Sequence, residues 1–398
     1  MKKVVLSAAA LMIGAIGFAQ TNNSDINQSG TANTADVVQT GNINDSDVLQ
    51  KGGGNNEATV TQTGVNNESK VEQAGSQPFR VKRNEAIIVQ TGDNNVSFAR
   101  SQDGEDNDIF TTSIGNDNWA YVKQIGSRNA STIDQDGDDN RAKSTVTFSD
   151  DNTSTISQDG NGNKSYTAQT FGPARGDGGG NTSTVTVIGD DNDADTFQAG
   201  LTNTSTIDQT SSLASGANDN DADVSQRGDL NTSTIIQRGD DNESNTLQEG
   251  NSNWARSRQL SSDNESFITQ IGGDSNHGDV RQFGGDGNTS DLDQDGSSNR
   301  SNVEQFGAGN TSTISSVGDG NINFVDQGNQ SPDNTMSMNS VSTIMQLGDA
   351  NMSTVRQYGD TQMSTVTQNG LGHISTVLQT GSFNVANVTQ SDSVVQQN

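Results

Sequence analysis

Glutamine returns along this chain at a fixed interval. Gln346, Gln357, Gln368, Gln379 and Gln390 stand 11 residues apart. Between them the chain repeats Gln-x-Gly-x-x-Asn-x-(Ser/Ala)-x-(Val/Ile)-x-Gln, as in "QTGSFNVANVTQ" from Gln379 to Gln390. The same phrase occurs far upstream in "QTGNINDSDVLQ", from Gln39 to Gln50. In all, 31 such segments can be placed, the first ending at Gln28 and the last at Gln390. Ser113, Thr147, Val187 and Ser316 are read as replacing the Gln in degraded copies. A period sustained over so much of a chain predicts a repeat architecture rather than a globular core.

The seven residues from Asn to Gln alternate strictly between recurring and variable positions. Period 2 predicts a strand with one face buried. The inner row is Asn, small, aliphatic, Gln. In the C-terminal copies it holds Asn351 and Asn384, then Val355, Val366, Val377 and Val388, then the five glutamines named above. The outer row is polar and variable, with Thr354, Thr365 and Thr376 facing away. The four residues between strands carry Gly348, Gly359, Gly370 and Gly381, which supply positive φ to a turn. A strand of seven and a turn of four make 11, and two such units close a 22-residue coil. The expected fold is all-β: a β-solenoid of stacked strand-turn-strand coils, with two parallel sheets. At a strand spacing of ~4.8 Å, about 15 coils give a rod of roughly 70 Å.

Stacking also gives the inner amides a role. A buried amide left unpaired costs ~1–3 kcal/mol. Identical amides one above another pair donor to acceptor, each with its copy one coil away. Strict repetition is then a requirement of the fold.

Composition alone argues for disorder. Of 398 residues only 28% are hydrophobic and 4% aromatic, with 44 glycines and a net charge of -29. Such a chain cannot build a multilayer core. A solenoid resolves the conflict, because its core is a single thin layer between two sheets. The acidic balance excludes nucleic acid as a partner, since phosphates would be repelled. There is no cysteine, hence no disulfide or thiol chemistry.

The N-terminus, "MKKVVLSAAALMIGAIGFAQ", has Lys2 and Lys3, an apolar run from Val4 to Phe18, and a small residue, Ala19. That order is a secretory signal peptide, residues 1–19, with cleavage after Ala19. The run is too short and wrongly flanked for a membrane span, and no other stretch would serve as one. Gln spacing lengthens from Gln73 to Gln90, Gln169 to Val187, Gln209 to Gln226 and Gln327 to Gln346. These intervals read as insertion loops near 76–83, 171–180, 211–217 and 328–338, within one repeat domain at 20–390 and before a tail at 391–398. All three prolines, Pro78, Pro173 and Pro332, fall in them, where no sheet ladder is interrupted.

"QTGSFNVANVTQ" resembles, residue for residue, the curlin repeat of bacterial curli fibres. The resemblance extends from about Asn22 to Gln390. It implies a secreted subunit that self-associates into amyloid fibres at the bacterial cell surface, serving adhesion and biofilm matrix. It also implies a β-solenoid without a cofactor, and partners of the curli secretion and nucleation type. In that family the amide, Gly and small positions are structural; here they fall on Gln368, Gly370, Ser375 and Gln379, for example. The chain departs from the family in carrying many more copies. Its pattern also starts at Asn22, directly after the signal peptide, where family members tend to have a Gly/Asn-rich export segment.

No catalytic constellation stands out. His277 and His373 lie far apart, His373 in place of a strand-start Asn. "RGD" at Arg175–Asp177 sits in a Gly-rich insertion and reads as chance. The sequence offers two other surface functions. Acidic turns, "GDDN" at Gly137, Gly189 and Gly239, offer oxygen ligands to Ca²⁺, with Asp240 and Asp241 expected one coil below Asp263. Outward Thr pairs (Thr182 and Thr184, Thr204 and Thr206, Thr232 and Thr234) suggest an ice-binding face, though Asp, Glu, Trp119 and Trp254 at equivalent places are expected to break it.

Overall fold

A computed structural model describes residues 21–75, 81–170, 179–210, 218–328 and 336–392. The expected signal peptide, all three prolines, Arg175–Asp177 and residues 393–398 lie outside the described residues.

The described chain is all strand and turn. Strands alternate between two sheets, one of 17 strands and one of 15. The first sheet includes a two-residue strand, Val81–Lys82; without it 16 and 15 remain, the 31 repeats of the sequence. Every strand pairs in parallel with the next strand of its own sheet, one coil on: Trp119 lies beside Arg141 and Gln124 beside Val146. The molecule is a β-solenoid of about 15 coils. Across insertions the register holds, with Gln158 beside Val187 and Gln327 beside Gln357. The insertions therefore lengthen turns and leave the stack unshifted. The repeat also runs past the expected tail boundary, because Ser391 ends the last strand and Asp392 N–H donates to the Asn369 carbonyl at 3.1 Å.

Turns stack as the strands do. Gly137 N–H donates to the Ile114 carbonyl (2.9 Å) and Asp139 N–H to the Asn116 carbonyl (3.0 Å). The turn Gly has positive φ, +110° at Gly348, and so does the residue two after it, +54° at Ala350. A Cβ on Gly348 would overlap the Gly370 carbonyl oxygen of the next coil. Close approach of backbones thus requires Gly as much as the φ does.

One register differs from the sequence reading. Val146, not Thr147, occupies the Gln slot, paired with Gln124 and Gln169 and fully buried. Counting back in elevens from Gln158 lands on Thr147, but the turn before Asn152 holds one extra residue. Phe148 (φ +53°) and Asp151 (φ +59°) take that turn's left-handed positions, and Phe148 projects into solvent. Ser101 also stands in the Gln slot, beside Gln73 and Gln124, while Gln102 points outward.

The core is one side chain thick, as the pattern requires. Its aliphatics form two clusters, Val48 to Ile235 and Ala255 to Val377. They separate where Thr246 and Ser257 fill the aliphatic slot on consecutive strands.

Candidate functional site

Two amide ladders run the length of the core. In the Gln ladder a side chain donates both to the facing strand and to the next coil. Gln357 Nε2 donates to the Val341 carbonyl of the facing strand (2.9 Å) and to Gln379 Oε1 of the next coil (2.9 Å). Gln346 Nε2 donates to Gln368 Oε1 (2.8 Å), and Gln368 Nε2 to Gln390 Oε1 (2.7 Å). The Asn ladder works through the backbone. Asn351 N–H donates to Asn321 Oδ1 (3.0 Å), while Asn351 Nδ2 donates to the Gly370 carbonyl (3.0 Å). Each Asn therefore ties a strand start to a turn in the next coil. His373 takes an Asn slot and its N–H donates to Asn351 Oδ1 (2.9 Å). Gln362 takes another: Nε2 reaches the Tyr358 and Gly381 carbonyls (2.7 Å each), while Oε1 has no partner among the described residues.

The Gln ladder breaks where the sequence lacks Gln, with a visible consequence. Gln124, Gln169, Gln209 and Gln346 each have a buried Oε1 without a hydrogen bond among the described residues. Each lies one coil after a slot holding Ser101, Val146, Val187 or Ser316. Valine has no donor, and these serines do not reach. Ser113 does reach, with Oγ donating to Gln135 Oε1 at 3.1 Å.

Among the described residues, nothing covers either end of the stack. Val355 and Val366 are fully buried and Val377 nearly so, whereas Val388, in the last strand, is only half-buried. Asn384 and Gln390 share that exposure. Gly359 meets the next coil's carbonyl, but Gly381, at the last turn, has only the Asn384 side chain near it. At the other end Asn23–Thr31 is exposed throughout, with the inward Ile26 44% exposed. The ends are complementary. Gln28 and Gln39 donate forward to Gln50 and Gln62 (2.6 and 2.8 Å), and nothing described donates to their own Oε1 atoms. Gln379 and Gln390 donate only to backbone, the Met363 and Ile374 carbonyls (2.9 Å each). The N-terminal end thus presents ladder acceptors and the C-terminal end ladder donors.

The outer rows differ along the rod. Thr153 and Thr155, Thr182 and Thr184, Thr204 and Thr206, and Thr232 and Thr234 register on four successive strands of the 15-stranded sheet. Trp254 stops the row at the next coil. Trp119 lies on the other sheet, so the Thr array is more continuous than the sequence suggested. Asp263 N–H donates to the Asp240 carbonyl (3.0 Å), which stacks those turns. Asp240 itself lies under Ser262. Among the described residues, no three His, Cys, Asp or Glu side chains converge as metal ligands. His277 stacks on Trp254 at 4.1 Å, and burial lowers its pKa below the ordinary imidazole value. No helix among the described residues is long and apolar enough to cross a membrane.

Three segments, residues 115–143, 217–246 and 239–272, match the family model described as the curlin associated repeat. No curated protein matches the chain. In those three segments the strand-turn units of the solenoid are similar to curlin associated repeats.

Proposed function

We propose that the chain is a secreted structural subunit of a curli-like extracellular amyloid fibre, serving adhesion and biofilm matrix. The observation that carries this reading is the pair of open, complementary ends. A C-terminal coil offering Gln379 and Gln390 donors meets an N-terminal coil offering Gln28 and Gln39 acceptors. Head-to-tail contact of this kind is heterologous and generates a filament. It extends both sheets with their unpaired edge strands, the usual hazard of an exposed edge put to use. The subunit turns over no substrate and needs no cofactor. Residues 1–19 direct export, and residues 20–390 act as one repeat domain. Purified protein should form thioflavin-positive fibres diffracting at ~4.7 Å and ~10 Å. Absence of both spacings from the product would remove the proposal.

A second reading, ice binding, rests on the four-coil Thr array. Freezing hysteresis of the freshly purified chain tests it; a solution freezing at its melting point discards it.

A further inference from the structure

The outward face of the 17-stranded sheet is divided by charge. Follow the first outward position of each strand, coil by coil. It reads Val96, Trp119, Arg141, Lys164, then Asp193, Asp221, Glu243, Glu265. The second position reads Phe98, Tyr121, Lys143, Tyr166, then Asp195, Asp223, Asn245, Phe267. All the cations of these two rows lie in one half and all the carboxylates in the other, with the boundary between strands Lys164–Thr170 and Asp193–Ala199.

Within one chain these charges are unspent. Among the described residues, Arg141, Lys143 and Lys164 form no ion pair; Arg141 rests over Trp119 at 5.1 Å and Lys143 over Tyr166 at 4.6 Å. Among the described residues, Asp193, Asp195, Asp221 and Asp223 form no ion pair either. Carboxylates stacked at each level repel one another. Desolvation and the neighbouring acids push Asp195 and Asp223 up to about 6.

We propose that this face docks a second copy of the chain, face to face and antiparallel, about a two-fold axis running along the strands at that boundary. The operation reverses the rod axis and keeps the strand direction. It sets Lys164 against Asp193 and Arg141 against Asp221 in the first column. In the second it sets Lys143 against Asp223 and Phe98 against Phe267. The groove beside Asp195, Asp223 and Phe267, about 380 Å³, lies opposite Lys143 and Tyr121 of the second copy. Every contact occurs twice, as an isologous interface requires. Eight strands at ~4.8 Å by three outward positions cover roughly 800 Å² per copy, the size of a stable interface. A parallel arrangement would oppose acid to acid and is disfavoured. The contact uses a sheet face, so it pairs rods side by side and is independent of end-to-end growth.

The chain has no cysteine, so single cysteines report the geometry. Thr145 and Ser225, at the third outward position, face each other across the proposed axis and carry none of the charges. Packed sheets lie ~10 Å apart, beyond disulfide reach, so a short bis-maleimide is the probe. A mixture of Thr145→Cys and Ser225→Cys full chains should cross-link at least about fivefold more than either alone, and 0.5 M salt should suppress the product. Reversing Arg141, Lys143 and Lys164 to Glu should abolish cross-linking of the mixture. Combining that chain with one carrying Asp193, Asp221 and Asp223 as Lys should restore it. Equal cross-linking by unmixed variants, or a yield indifferent to salt, overturns the proposal. The salt arm needs no charge variant to fold. Thioflavin signal, read in parallel, reports end-to-end growth separately.

Discussion

The C-terminal coils, Gln346 to Gln390, and the middle coils, Asp193 to Glu249, have the same inside and opposite outsides. Both bury an Asn-slot residue, a small residue, an aliphatic or Thr, and Gln in the same order; Val355 and Val224 occupy one slot of one motif. Outside, the middle coils stack Asp193 on Asp221 and Asp195 on Asp223. The C-terminal coils instead expose Met363 (48%), Ile374 (65%), Leu378 (63%) and Val385 (66%). From Thr361 to Ser391 there is no Asp, Glu, Lys or Arg. The inner row sets the fold and the outer row sets what a coil tolerates beside it. An apolar, uncharged outside is concentrated at the C-terminal open end, where a neighbour would add its strand.

The largest effect tests the shared inside. Val355→Asp and Val224→Asp should each cost well over the ~1.5–3 kcal/mol of lost Val burial, because a charge enters a dry layer one side chain thick. Thr354→Asp, on the outer row, should be mild. Denaturant midpoints compare them. If Val224→Asp were tolerated while Val355→Asp was not, the two regions would not share one core logic.

Next in size is the difference between the outsides. A lone coil orders 22 residues at ~1–2 kcal/mol each against a few buried aliphatics, so assembly starts where several coils pair most easily. Stacked like charges oppose pairing. A 346–398 peptide should therefore nucleate with a several-fold shorter lag at physiological salt than a 126–170 peptide, which is acidic in net and stacks Asp136 on Asp159 and Arg141 on Lys164. A shorter lag for the acidic peptide would remove the assignment of nucleation to the C-terminal coils.

A smaller effect is electrostatic and confined to the middle. Asp195 and Asp223 are raised from 3.8 to about 6, first by desolvation, then by Asp193, Asp221 and, at Asp223, Glu243. A carboxylate with a raised folded-state pKa makes the folded state bind more protons than the unfolded one. Stability therefore rises as pH falls from above 6 toward 3.8 and gains nothing further from these groups below that. Both are solvent-exposed, so screening keeps the gain modest. Asp195→Asn with Asp223→Asn should flatten the rise between pH 7 and pH 5, followed by thermal denaturation; an unchanged slope would place its origin elsewhere.

Much of this fold was legible because the repeat states it many times over. Period 2 put Val355 and Gln357 on one face and Thr354 on the other, and they lie there. What one strand cannot state was less legible. At Thr147 two cues conflicted. Alternation from Asn140 through Ala142 and Ser144 pointed to Val146, while counting in elevens from Gln158 pointed one residue further. Alternation follows the pleat, which cannot slip, whereas a turn accepts an extra residue. Val355 and Val388 are identical in the motif yet differ in burial, because burial depends on the coil above. The opposition of Arg141 to Asp221 appears only once a coil length is known and rows are read down the stack.

The smallest effect concerns the ladder itself. It is continuous through Gln346, Gln368 and Gln390, and through Gln357 and Gln379, but upstream it is broken at Val146 and Val187. At Val187 the break leaves Gln209 Oε1 buried and unpaired among the described residues, while Gln158 Nε2 keeps its facing-strand bond to the Arg141 carbonyl (3.2 Å) and donates to Ser165 Oγ (3.0 Å) where a next-coil amide would stand. Gln at position 187 would accept from Gln158 and donate to Gln209. The backbone register there, Gln158 to Val187 to Gln209, is the one that holds Gln elsewhere in the stack, so the slot admits the longer side chain without a shift. Its methylenes retain part of the Val burial. Val187→Gln should therefore stabilise the chain by about 1 kcal/mol, the net value of a restored buried hydrogen bond. Val185→Gln, the same change in the aliphatic slot of the same strand, should destabilise it, because no amide column exists there to receive it. Denaturant midpoints of the two variants read the difference. Destabilisation by both would mean that the amide column is tolerated for its shape and contributes nothing through its hydrogen bonds.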